Sequence, residues 1–176
     1  MAIPLKLLRL LNAVLERASI VVASSVVAVM VTALTASAAT RFVSGTGYDW
    51  LIELPPALVP WLVFPLLGPL LRSGGHIQVD FLPVLLPKPW AIWLRLVCFT
   101  ITLAGAIIFL FAGTEAVELF RRLGQLMELE IDIPIWWMYL AFPVGFAMLA
   151  LFAIELIIDT IRALVAYDRE ERGETS

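Results

Sequence analysis

Charge, cysteine and histidine are all scarce in this chain. Only 15% of its 176 residues are Asp, Glu, Lys or Arg, against about a quarter in an ordinary soluble domain. The single cysteine, Cys98, excludes an intramolecular disulfide and reads as a packing residue inside an apolar run. With His76 as the one histidine, the chain cannot assemble the three or four Cys, His and carboxylate ligands that a zinc site needs. Bis-histidine haem ligation within one chain is excluded for the same reason. His76 and Asp80 have the spacing of a base and its orienting group, but no serine or cysteine nucleophile stands out near them. No enzyme and no cofactor follow from these residues. Twelve basic residues against fifteen acidic ones offer no stripe to neutralise phosphates, so nucleic acid is not a partner.

What the chain does have is grease: 61% hydrophobic residues and a mean hydropathy of +0.96. Charge-free runs at residues 18–40, 54–71, 96–114 and 133–154 each approach or exceed the roughly 18 to 20 apolar residues that cross a bilayer core. They are apolar on every face rather than alternating, so they read as helices and not as strands of a closed barrel. The expected fold is an all-α integral membrane protein, one domain over residues 1–176, with spans near 18–40, 51–72, 90–114 and 134–160 embedded in the lipid bilayer.

Ahead of the first span, Lys6, Arg9, Asn12 and Glu16 recur three or four residues apart among leucines. That spacing predicts an amphipathic helix over residues 1–17, lying among the headgroups before the chain turns inward. A signal peptide ending near Ala36-Ser37-Ala38 is the competing reading, but its apolar region would be too long for a typical one of about 7 to 15 residues. With the N-terminus inside, Lys6, Arg9, Arg17, Arg72, Lys88, Arg95, Arg162, Arg169 and Arg172 lie inside, and only Arg41, Arg121 and Arg122 outside. That bias predicts cytoplasmic termini. The outer segments collect Asp49, Glu53, Glu115, Glu118, Glu128, Glu130 and Asp132, either as solvated loops or as a face that receives a soluble partner.

Pro55, Pro56, Pro60, Pro65 and Pro69 all fall in the second span. Each lacks a backbone donor and crowds the carbonyl four residues earlier, so a kinked, packed span is expected there rather than an unbroken helix. The third helix is predicted from Trp90 to Leu123 with Gly124 as its stop. At about 1.5 Å per residue it outruns a core of about 30 Å, so it tilts or projects, and Glu118 and Arg122 are set for an ion pair on the projecting part. The fourth span opens at Asp132 and Pro134 with Trp136, Trp137 and Tyr139 as an interfacial belt. Glu155, Asp159 and Arg162 share a face near its inner end, and residues 166–176 read as a charged, unstructured tail. Gly105, Gly113 and Gly145 are candidate helix-contact points. Thr32, Thr35, Ser37 and Thr40 are the polar residues of span one and read as hydroxyls bonded to their own helix.

Between spans two and three lies LRSGGHIQVDFL, residues 71–82. Arg72 ends the span at the headgroups, Gly74-Gly75 lets the chain turn, and His76, Gln78 and Asp80 alternate with Ile77, Val79 and Phe81. The set Arg72, Gly75-His76-Ile77, Val79-Asp80 and Leu82, at that place in a four-span chain, resembles the signature of the small membrane (Q, or DctQ-type) subunit of tripartite ATP-independent periplasmic (TRAP) transporters. Trp50 to Glu53 at the entry to span two with Trp61 inside it, and Pro143 and Gly145 within IPIWWMYLAFPVGFAML, are similar to the family pattern. The resemblance covers the whole chain, although the proline load of span two is heavier than the pattern suggests.

The resemblance implies a non-catalytic subunit of the bacterial inner membrane that scaffolds a large membrane subunit. It also implies help in docking a periplasmic substrate-binding protein, for ion-coupled uptake of an organic acid or similar carboxylate. The transport site and the coupling ion, sodium in this reading, would belong to the large subunit. The motif residues would be structural or inter-subunit contacts, and Glu115, Glu118, Arg122, Glu128 and Glu130 a docking face. Two rivals stay open on the residues alone: a small homo-oligomeric permease or channel, and a membrane assembly factor.

Overall fold

The structure, a computed structural model, describes residues 2–73, 88–127 and 132–171. Among these residues it is helical nearly throughout, and four segments are long and apolar enough to cross a membrane: Leu5–Ser44, Trp50–Ser73, Pro89–Leu123 and Ile135–Arg169.

Helix α1 spans Ala2–Ser44 without interruption. No proline or glycine occurs between Leu5 and Ser44, so nothing in the backbone turns the amphipathic segment away from the span. A separate interfacial helix over residues 1–17 is thus replaced by one helix of about 65 Å, roughly twice the thickness of a bilayer core. Gly45 ends it at a positive φ of 71°, donating its N–H to the Arg41 carbonyl at 3.1 Å.

The proline-rich second span stays helical but changes gauge. Helix α2 covers Trp50–Val63, a 3-10 turn covers Phe64–Leu66, and α3 covers Leu67–Ser73. The expected disruption is concentrated at Pro65, which sits in the first turn of the tighter segment while the Leu67 N–H reaches the Phe64 carbonyl three residues back.

Helix α4 runs Lys88–Leu123, two residues longer at its start than expected, and Gly124 stops it at φ 62°. The fourth span holds a joint the sequence reading missed. Helix α5 is the short Ile135–Tyr139 and α6 follows as Ala141–Glu171. The joint places Pro143 in the first turn of α6, where its missing donor leaves no helical bond unmade. Helix α6 also carries residues 166–171, assigned above to the tail; Arg169, Glu170 and Glu171 are good helix formers and extend it.

Helix α6 is the centre of the bundle, packed against α4 on one side and against the 3-10 turn, α3 and α1 on the other. Leu71, Ala106, Leu149 and Ala153 form the buried core, with Phe99, Leu103, Phe146 and Leu156 around it. Ala106 and Ala153 are essentially inaccessible, and such small residues let helices approach closely where lipid offers no hydrophobic drive for association. Much of α4 faces outward, with Ile101, Ile108 and Phe111 all exposed. Cys98 is exposed as well, because it lies on that outward surface and not in the core.

Candidate functional site

The densest chemistry lies at the end of the bundle that carries both termini. Helix α1 contributes Arg9, Asn12 and Glu16 on one stripe, α6 contributes Glu155 and Asp159 one turn apart, and α3 carries Arg72 in its last turn. Asn12, the chain's only asparagine, donates from Nδ2 to Glu155 Oε2 at 2.5 Å and to the Leu151 carbonyl at 3.3 Å. Arg72 donates to Glu16 Oε2 at 3.1 Å, and its second terminal nitrogen lies 3.6 Å from Glu155 Oε1. Arg9 pairs with Asp159 at 2.5 Å.

Burial separates these contacts by weight. Asn12 is 0% exposed and Glu155 4%, so neither has water to fall back on, and Asn12 Oδ1 has no hydrogen-bond partner. An ionised carboxylate at such a site is tolerable only when paired and hydrogen-bonded. Asn12 and Arg72 supply those partners from two other helices. Chemically the cluster is a clamp: each carboxylate is held by an amide or a guanidinium, and the pairings join α1, α3 and α6.

A second set of contacts fixes the other half of the bundle. A Cβ on Gly145 would fall 2.5 Å from both the Cβ and the carbonyl oxygen of Phe64, and one on Gly68 would fall 2.5 Å from the Phe152 ring. The 3-10 turn and α3 therefore interlock with α6 as glycine notches and aromatic knobs. Gly113 meets Pro143 similarly, at 3.2 Å from its Cδ, whereas Gly105 has open space. Around the notches the rings of Phe64 and Phe142 lie 4.0 Å apart, Phe109 stacks on Phe146 at 5.1 Å and Phe120 meets Tyr139 at 4.3 Å. Trp61 donates its indole N–H to the Trp137 carbonyl at 3.2 Å, with the two rings 5.4 Å apart.

At the end opposite the termini, α4 projects its last turns. Glu118 and Arg122 form the ion pair expected of them, Glu115 is exposed, and a groove of about 590 Å³ opens between Glu118, Arg121, Arg122, Leu140 and Pro143. The chain returns to α5 through a short bridge in which Met127 N–H donates to the Ile133 carbonyl at 2.8 Å and Ile135 N–H to the Gln125 carbonyl at 3.0 Å.

Of the residues singled out from sequence, Arg72 joins the clamp, and Trp61, Pro143 and Gly145 join the aromatic half. Glu53 is half-buried in the first turn of α2. Gly75, His76, Val79, Asp80, Glu128 and Glu130 lie outside the described residues. The stripe of Arg9, Asn12 and Glu16 was expected to face headgroups and instead faces α6 and Arg72. Asp159 pairs with Arg9, and Arg162, which shares its face, is exposed. A signal was present: an asparagine amid leucines and a glutamate just past an apolar run each demand a partner within the membrane boundary.

The family model for tripartite ATP-independent periplasmic transporters, DctQ component, matches residues 30–163. A search of curated proteins found no match.

Proposed function

The chain belongs to the family of DctQ components of tripartite ATP-independent periplasmic transporters, and from that premise we propose that it acts as a brace. It is the non-catalytic small subunit that holds a large transport subunit in the inner membrane of a bacterium, termini in the cytoplasm, and helps receive a periplasmic substrate-binding protein. The cargo is an organic acid or similar carboxylate, and the coupling ion, sodium, binds the large subunit.

The observation that carries this reading is how the polar groups are used. Glu155, the most deeply buried carboxylate among the described residues, is held by Asn12 and Arg72. Many hydroxyls within the spans bond to their own helices: Ser19 to the Leu15 carbonyl, Thr32 to Ala28, Thr40 to Ser37, Thr102 to Cys98 and Thr160 to Leu156. Groups arranged in this way stiffen a scaffold, whereas a cargo pathway presents ionisable groups to a cavity. The projecting end of α4, with Glu115, Glu118 and Arg122, is the face offered to the binding protein, where charge sets orientation and encounter rate more than affinity.

Co-expression with a tagged large membrane subunit tests the proposal. The chain should co-purify with it in detergent, and cutting α4 back at the groove should weaken capture of the binding protein while leaving the membrane pair intact. A chain that purifies free of any large membrane subunit would contradict the brace.

A further inference from the structure

Each span exchanges apolar residues for charge at the end carrying the termini: Arg17 precedes the run 18–40, Arg72 follows 54–71, Arg95 precedes 96–114 and Glu155 follows 133–154. The structure brings Arg72 and Glu155 within 3.6 Å, so these charges mark one level, the boundary between hydrocarbon and headgroups. Trp90 and Trp93, within about a turn and a half of Arg95 on α4, are 66% and 52% exposed, as aromatic residues at such a boundary are.

At that level α3, α4 and α6 enclose a groove of about 360 Å³. Arg72 and Arg95 stand at it, and Leu71, Phe99 and Leu156 form its apolar floor on the hydrocarbon side. The other charges there are committed: Arg72 to Glu16 and Glu155, and Asp159 to Arg9. Arg95 is exposed and has no ion-pair partner among the described residues. A guanidinium offers a planar fork of donors matched to phosphate oxygens, and basic pockets between membrane helices at the headgroup level suit anionic lipid headgroups.

We propose that this groove seats an anionic glycerophospholipid, its phosphate on Arg95 with Arg72 alongside and an acyl chain running along Phe99 and Leu71. The site is built from both chemistries at once, a cation unpaired among the described residues at headgroup depth above an apolar floor. It is independent of the transport assignment.

Native mass spectrometry of the full chain released from nanodiscs of mixed phosphatidylcholine and phosphatidylglycerol tests it. The wild type should retain phosphatidylglycerol in preference to phosphatidylcholine. Arg95→Gln should lower that retention about fivefold, the weight of one basic side chain near an anionic surface. Arg95→Lys should fall between, and Arg17→Gln, which removes the same charge at the same level outside the groove, should retain like wild type. Unchanged helical circular dichroism in each variant would confirm that the fold is intact, as expected for exposed side chains. Equal retention by Arg95→Gln and wild type, or equal loss in Arg17→Gln, would overturn the site. Release of the lipid by millimolar inorganic phosphate would show a site for any phosphate and overturn the lipid assignment.

Discussion

Replacing Glu155 with leucine removes the carboxylate at the centre of the three-helix clamp. Asn12 would then keep only its 3.3 Å bond to the Leu151 carbonyl at a position with no solvent exposure. Losing a hydrogen bond to a charged acceptor and stranding the polar group costs about 1–3 kcal/mol. Arg72 loses one partner but keeps Glu16 at 3.1 Å. Because its side chain is 34% exposed, water compensates and that loss adds under about 1 kcal/mol. The single variant should therefore be less stable by about 2 kcal/mol. Asn12→Leu alone should cost about 1–2 kcal/mol, since it takes a donor from a buried carboxylate that retains Arg72. The double variant Asn12→Leu, Glu155→Leu leaves no buried polar group stranded and should return to within about 1 kcal/mol of wild type. The resulting coupling of about 2–4 kcal/mol exceeds the roughly 0.6 to 1.7 kcal/mol of hydrogen-bonded pairs between membrane helices, because Glu155 and Asn12 are each left as a buried polar group short of a partner when the other is removed. Titration with sodium dodecyl sulfate from mild detergent, followed by helical circular dichroism, reads all four stabilities. If the double variant lost the sum of the single losses, the two side chains would be acting independently and the clamp would be refuted.

Gly145→Val should destabilise the bundle by about 1–3 kcal/mol through overpacking against the Phe64 backbone, while Gly105→Ala, which meets open space, should stay within about 0.5 kcal/mol of wild type in the same titration. Trp61→Phe keeps the ring but loses the 3.2 Å bond to the Trp137 carbonyl, and a thermal-shift assay should register a loss of about 1 kcal/mol. Asp80→Ala or His76→Ala should reduce co-purification with the large membrane subunit and leave substrate affinity of the assembled transporter unchanged; a changed substrate preference with normal assembly would overturn the scaffold assignment. Arg122→Gln breaks an exposed pair with Glu118, so stability should hardly move, while binding-protein capture should weaken and lose part of its salt dependence.

How far the sequence could be read depended on whether the signal was local. The spans follow from unbroken apolar runs, and the end of α4 follows from Gly124, whose positive φ of 62° is the conformation glycine allows. The proline-rich span was legible as kinked, but not that a single 3-10 turn at Phe64–Leu66 would absorb the strain, because that depends on Gly145 leaving room for Phe64 on another helix. The clamp was legible only as two separate faces. Spacing of three and four shows that Arg9, Asn12 and Glu16 share a stripe, but a period says nothing about what the stripe meets. Its partners Glu155 and Asp159 lie more than 140 residues away in sequence. Length misled at α1, where an amphipathic start and an apolar run looked like two elements. Without a glycine or proline between them they form one helix.

The most direct test of the central claim is substrate uptake into liposomes from a reconstituted system containing a cognate binding protein. Three preparations are compared: this chain alone, the large membrane subunit alone, and the two together. Sodium-dependent uptake is expected only when the two membrane subunits are present together. Uptake by this chain alone would show that it carries the transport site itself, and would contradict the account at its root.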